Sequence, residues 1–158
     1  MKIIGVDPGV KGAIAIYDVA DRNVTCFDMP DTTTGLHDLV SSFPPVAGAM
    51  IEKPFYPKVI GVRNVARIAE SYGKILSAFA WCGIPVREVR PADWKASLNL
   101  SSHKAASREM AGRFFPDDAH QWAQVKDDGR AEAALLAWFG VAAFRGTNQT
   151  TIFVEGQE

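Results

Sequence analysis

The chain has 158 residues, 47% of them hydrophobic, with 17 Lys and Arg against 18 Asp and Glu for a net charge of −1. That length suits one domain over 1–158 with a real core, and no apolar run approaches the roughly 18 residues that a membrane span needs. With no signal-like N-terminal segment, and with Cys26 and Cys82 isolated from each other and from any zinc spacing, the expectation is a soluble cytoplasmic protein with two buried, reduced thiols.

Lys2 to Val6 is rich in β-branched residues, Pro8 and Gly9 interrupt it, and Gly12 to Tyr17 resumes an apolar run, so 2–18 reads as a hairpin. Its first strand ends on Asp7, which either braces its own turn, as turn aspartates do, or is placed for chemistry. Arg22 to Met29 reads as a third strand, Thr33 to Ser42 as a short helix, and Val46 to Ile51 as a buried strand that closes on Glu52. Residues 60–81 form the clearest helix, with Val62, Val65, Ala69, Tyr72, Leu76 and Phe79 on one stripe and Arg63, Arg67, Glu70 and Lys74 on another. The apolar stripe reads as core or as a seam with a second copy.

Val86 to Val89 follows as a short strand, and Pro91 opens a helix at the position where a first turn tolerates it. Residues 101–115 are expected to be helical, capped by Ser101 or Ser102, with Lys104 and Arg108 on one side and Phe114-Phe115-Pro116 closing it. A last helix, capped by Asp127 or Asp128, runs to about Phe144 and carries Glu132 on its second turn. Positions 128 and 132 differ by roughly 40° around a helix and 127 and 132 by roughly 140°, which makes Asp128 the better partner and Asp127 the fallback. Glu132 lies among Ala131, Ala133, Ala134, Leu135 and Leu136. A carboxylate in such company needs a partner, because burying it alone costs several kcal/mol.

Charge is segregated along the chain. From Lys53 to Arg113 there are 11 Lys or Arg against 4 acids, which suits a polyanionic partner or a set of solvated helix faces. The acids point further. Asp7, Glu52, Asp128 and Glu132 are all oxygen donors of the hard type that magnesium prefers, with no His or Cys completing the set. An all-carboxylate cluster suits two ions about 3.5–4 Å apart bracketing a phosphodiester, so two-metal hydrolysis is the chemistry expected, with Mg2+ or Mn2+ as cofactor.

Four segments carry a family resemblance: Ile-Ile-Gly-Val-Asp-Pro-Gly at 3–9, Ile-Glu-Lys-Pro-Phe at 51–55, Arg-Pro-Ala-Asp-Trp-Lys at 90–95 and Asp-Gly-Arg-Ala-Glu-Ala at 128–133. In this order they resemble the RuvC-type Holliday-junction resolvases of the ribonuclease-H-like superfamily, especially the compact phage forms, across nearly the whole chain. The resemblance implies an α/β fold with a mixed sheet flanked by helices, a homodimer with two active sites, and paired symmetric nicks in a four-way DNA junction. It also implies that Asp7, Glu52, Asp128 and Glu132 are the magnesium-binding acids. Bacterial members commonly place the last two acids three residues apart and end on Asp; here the gap is four and the last acid is Glu.

Phe55 follows Glu52 in a Pro-bounded loop, where the resemblance suggests an aromatic that stacks on an unpaired base, an interaction worth about 1–3 kcal/mol per base; the alternative is a ring packed into the core. Trp94 reads as core. Arg63, Arg67, Lys74, Lys95, Lys104 and Arg108 are candidates for phosphate contacts, and Lys53 either contacts the scissile phosphate or tunes Glu52. Three rivals stand beside this reading. A related nuclease acting on structured RNA or branched DNA would use the same chemistry, and a noncatalytic junction-binding protein would need only the basic segment. A sugar-kinase or actin-like ATPase, suggested by Gly-Val-Asp-Pro-Gly-Val-Lys-Gly, would need a second lobe that this length does not allow.

Overall fold

The computed structural model describes residues 1–9, 11–56, 61–101, 103 and 105–145. The chain opens as an antiparallel meander of β1 (Lys2–Asp7), β2 (Ala13–Asp18) and β3 (Asn23–Asp28), because Pro8 and Gly9 stop the first strand and Gly12 donates back to the Gly9 carbonyl at 2.8 Å. After α1 (Thr33–Ser41), capped by the Thr32 hydroxyl, β4 (Gly48–Glu52) pairs parallel with β1. Helix α2 (Val62–Trp81) then crosses over to β5 (Val86–Val89), parallel to β4, so the sheet order is β3-β2-β1-β4-β5. The remaining elements are α3 (Pro91–Ser97), α4 (Ala106–Phe114), two 3-10 segments (Pro116–Trp122 and Val125–Asp127) and α5 (Asp128–Phe144). The mixed sheet flanked by helices is the α/β architecture expected.

Strand alternation sorts the core into two layers. Ile4, Val6, Ile14, Ala49 and Ile51 pack under α1 and the last turns of α2. Ile3, Ala13, Ala15, Tyr17 and Met50 face α5, whose Ala131, Ala133, Ala134, Leu135, Leu136 and Val141 are buried in a core shared with Trp94, Phe115 and Trp122. A helix buried on nearly every side has no need of a polar face, which explains the apolar run around Glu132. Gly5 sets how close α5 comes: a Cβ there would stand 2.0 Å from the Ala133 carbonyl oxygen and 2.3 Å from the Ala137 nitrogen.

The β3 edge is covered by side chains from the first 3-10 segment. Asp118 accepts from the Val24 N–H at 2.8 Å, and Gln121 accepts from the Cys26 N–H and donates to the Val24 carbonyl. This meets backbone groups that an open edge would offer to another chain. Arg130 adds a two-pronged ion pair to Asp28, with both contacts at 2.7 Å, joining α5 to the end of the same strand.

Several expectations change. The helix expected over 101–115 begins at Ala106; Ser101 accepts from the His103 N–H instead of capping it, and Ser102 and Lys104 lie outside the described residues. Ile60, the expected start of α2, lies outside them too. Asp127 occupies the N-cap position of α5, yet its carboxylate accepts from the Gln124 N–H rather than from the helix. Both cysteines are free, but half-buried rather than buried. Of the stripe on α2, Phe79 is buried and Tyr72 and Leu76 pack half-buried beside it, joined by Ile75 and Ala78 from outside the stripe, whereas Val62 is 85% exposed and Ala69 is exposed. Periodicity identifies an apolar face, and the sheet is long enough to cover only the C-terminal part of a 20-residue helix.

Candidate active site

Asp7 and Glu52 reach the same place by the same rule. On β1 the side of the sheet facing α5 takes Ile3 and Gly5, so it takes Asp7; on β4 it takes Gly48 and Met50, so it takes Glu52. Parallel pairing of Val6 with Ile51 makes the two acids next in register on neighbouring strands, at the carboxyl end where open α/β sheets place their ligands. Glu132 enters from the second turn of α5. Its charge raises the pKa of both Asp7 and Glu52, and that of Asp7 raises Glu52, so the structure brings these three acids into one electrostatic unit.

Each acid is held by a specific donor. Asp7 Oδ1 accepts from the Gly9 N–H at 3.0 Å, so this residue braces its turn and faces the site at once. Its Oδ2 abuts the start of α5 at Gly129, where a Cβ would lie 3.1 Å from that oxygen and 2.6 Å from the Lys11 carbonyl. Glu52 Oε2 accepts from Trp94 Nε1 at 2.6 Å, and Glu132 Oε1 accepts from Lys95 Nζ at 2.8 Å and from Ser107 Oγ at 2.9 Å. Trp94 is fully buried, as core was expected to be, but its indole N–H is committed to the site. Sequence pattern alone did not mark Trp94 as a donor, nor Ser107 or Gly129. A signal existed for the first, since a buried indole N–H usually finds an acceptor.

The structure does not bring Asp128 into this unit. Its Oδ1 accepts from Arg108 Nε at 2.7 Å, and Asp127 is engaged by Gln124. Lys95 and Arg108, expected at phosphates, are both directed at carboxylates here. Lys74 pairs with Glu70 along α2, and Arg63, Arg67 and Lys53 are exposed; Lys104 lies outside the described residues. Phe55 is 73% exposed, which removes the alternative of a core ring.

Burial is the main cause that pushes the Asp7 carboxyl up to about 6, reinforced by Glu132 and opposed by the Gly9 N–H and Lys95. Burial likewise pushes Glu52 up to about 7, with Trp94 and Lys95 opposing and Glu132 and Asp7 reinforcing. A carboxyl whose folded pKa lies above its unfolded value holds its proton more tightly in the native state. Its stabilisation is therefore complete below the ordinary carboxyl range and lost as pH climbs through 6 and 7. In chelator, the urea midpoint of the protein is expected to fall between about pH 5 and about pH 8, and the Asp7→Asn, Glu52→Gln double variant to flatten that slope. A wild-type midpoint that rises over this interval contradicts the assignment.

Two carboxylates made costly by burial, Asp7 and Glu52, with the charge of Glu132 beside them, form a donor set that a hard divalent cation would relieve. The oxygen chemistry fits. As the side chains stand, however, no group of three acids, His or Cys among the described residues is arranged to hold a metal ion. An ammonium lies on Glu132 instead.

Neither a family model nor a curated protein matches the chain by sequence. Solved structures do. RuvC of T. thermophilus in complex with a Holliday junction substrate aligns with a TM-score of 0.65 at 16% identity, over 90% of this chain and 96% of that one. A further T. thermophilus RuvC structure aligns with a TM-score of 0.59, at the same identity and coverage. The chain therefore has a RuvC-like fold, and no helix among its described residues is long and apolar enough to cross a membrane.

Proposed function

We propose that this protein is a divalent-metal-dependent endonuclease that resolves four-way DNA junctions by paired symmetric nicks, acting as a homodimer. The observation that carries the reading is the convergence of Asp7, Glu52 and Glu132 at the carboxyl end of the two central parallel strands, on a RuvC-like fold. Those acids would hold the cation, with Asp128, or Asp127, as the further donor once released from its present partner. Bound magnesium or manganese, two ions per site, supplies an activated water and offsets the charge that builds on a cleaved phosphodiester.

The protein's own groups do the positioning. Gly9 and Trp94 hold one oxygen each of Asp7 and Glu52, which leaves the other oxygen of each for the reaction centre. Ser107 steadies Glu132. Phe55, exposed in the loop that leaves Glu52, would stack on an unpaired base at the branch point, while Lys53, Arg63, Arg67, Lys74 and Lys104 would supply phosphate contacts. Two copies would meet along the exposed apolar residues of the first half of α2, giving two sites for two opposed nicks.

The direct test is nicking of four-way DNA, flap, duplex and structured RNA substrates with and without Mg2+. Preferential paired nicking of the four-way form is expected. Equal or better cleavage of RNA or flaps assigns a related nuclease, and tight junction binding without cleavage assigns a binding protein. The phosphate role of α2 has its own measurement: Arg63→Glu with Arg67→Glu weakens junction binding and lowers the slope of log affinity against log salt by about two. An unchanged slope returns that helix face to solvent.

A further inference from the structure

Lys95 and Trp94 are consecutive on α3, about 100° apart around the helix, and they reach different acids. Trp94 holds Glu52 and Lys95 holds Glu132. The Lys95 ammonium lies 5.1 Å from the centroid of the Trp94 ring, and its charge also lowers the pKa of Asp7 and of Glu52. It therefore serves as the shared counter-charge of all three acids. Glu132 Oε1 already takes two donors, Lys95 and Ser107, which occupy that oxygen from the protein side.

The two neighbours differ in freedom. Trp94 is fully buried, whereas the Lys95 side chain keeps 34% exposure on a flexible four-carbon stem. Lys95 has a route to solvent that leaves α3 in place, and Trp94 does not. A divalent cation drawn to the same carboxylates brings more charge into the same small volume as the ammonium, and the two positive groups repel strongly at that range.

We propose that the Lys95 ammonium and the divalent cation compete for one set of carboxylates, so that cation binding displaces Lys95 from Glu132. The inference rests on the reading of Asp7, Glu52 and Glu132 as the cation site. Lys95 pairs with Glu132 and offsets part of the negative charge of the three acids between loading events, and so sets a threshold concentration for the cation. Its cost is affinity; its gain is a site that does not destabilise the sheet end through unrelieved like charge.

The test is Mn2+ binding to the full chain without DNA, by titration calorimetry and by loss of the free-ion paramagnetic resonance signal. Lys95→Met is expected to bind Mn2+ about fivefold more tightly than wild type, and Lys95→Arg, which keeps the charge, no more tightly. Lys95→Gln is measured alongside, so that loss of fold in one variant leaves the comparison standing. In chelator the neutral variants melt below wild type, and added Mn2+ raises their melting temperature by more than it raises that of wild type. A purely structural lysine would lower the melting temperature without tightening Mn2+. Wild type binding Mn2+ as tightly as Lys95→Met overturns the competition alone, whereas no Mn2+ binding by any form overturns the competition together with the cation site.

Discussion

Asp7→Asn is expected to lower Mg2+-dependent nicking of a four-way junction by about 10³-fold or more, equivalent to about 4 kcal/mol of transition-state stabilisation, while junction binding is retained. The amide keeps the shape and the bond from the Gly9 N–H, so the β1–β2 turn stays as it is. It loses the negative charge that a cation needs from the acid at the centre of the sheet end. Stability moves the other way. Burial is what chiefly raises the Asp7 pKa, so the ionised carboxylate burdens the fold, and the neutral amide is expected to hold or raise the urea midpoint in chelator at about pH 8. Nicking rates on a labelled junction, beside a binding isotherm in Ca2+ and a urea titration, read the three effects separately. Nicking at the wild-type rate removes Asp7 from the chemistry.

Gly5→Val is expected to have the largest effect on the fold itself, at least about 3 kcal/mol, the upper end for overpacking a core. The obstacle is backbone: the first added carbon would meet the Ala133 carbonyl and the Ala137 nitrogen at 2.0 and 2.3 Å. No rotamer change in α5 clears main-chain atoms, so the helix must lift from β1 along their shared length. Because Glu132 rides on α5, the variant loses the site as well. Gly73→Ala is the matched control. Position 73 is exposed on α2, a Cβ there meets nothing within 4 Å, and the substitution is expected to stabilise the protein by up to about 1 kcal/mol through helix propensity. Urea denaturation of both variants checks the pair. A Gly5→Val protein with the wild-type midpoint would mean that α5 does not sit on β1 as described.

Legibility of the site in the sequence followed the range of the interactions. Strand alternation and the Pro-Gly break were enough to mark Asp7 and Glu52, because both depend on neighbours within a few positions. Glu132 was marked by its apolar company, and the structure supplies the cause, a helix enclosed on nearly all sides. Helical azimuth favours Asp128 over Asp127 as the partner of Glu132, but azimuth fixes only a direction; Arg108, 20 residues away, takes up the Asp128 carboxylate. The basic residues show the same boundary. Arg63 and Arg67 are exposed, as a charged helix face implies, while Lys95 and Arg108 turn to acids on another helix.

Local pattern thus determined most of the strands and helices, the two acids that close β1 and β4, and the apolar character of the last helix, since each follows from the chain's short-range periods and turn residues. Tertiary structure alone decided which donors hold those acids. Trp94 meets Glu52 across 42 positions and Lys95 meets Glu132 across 37, and such contacts depend on where α3 and α5 come to rest against the sheet. It also decided that the first half of α2 stays uncovered, because a periodic apolar stripe states what a helix can bury and not how far the sheet beneath it extends.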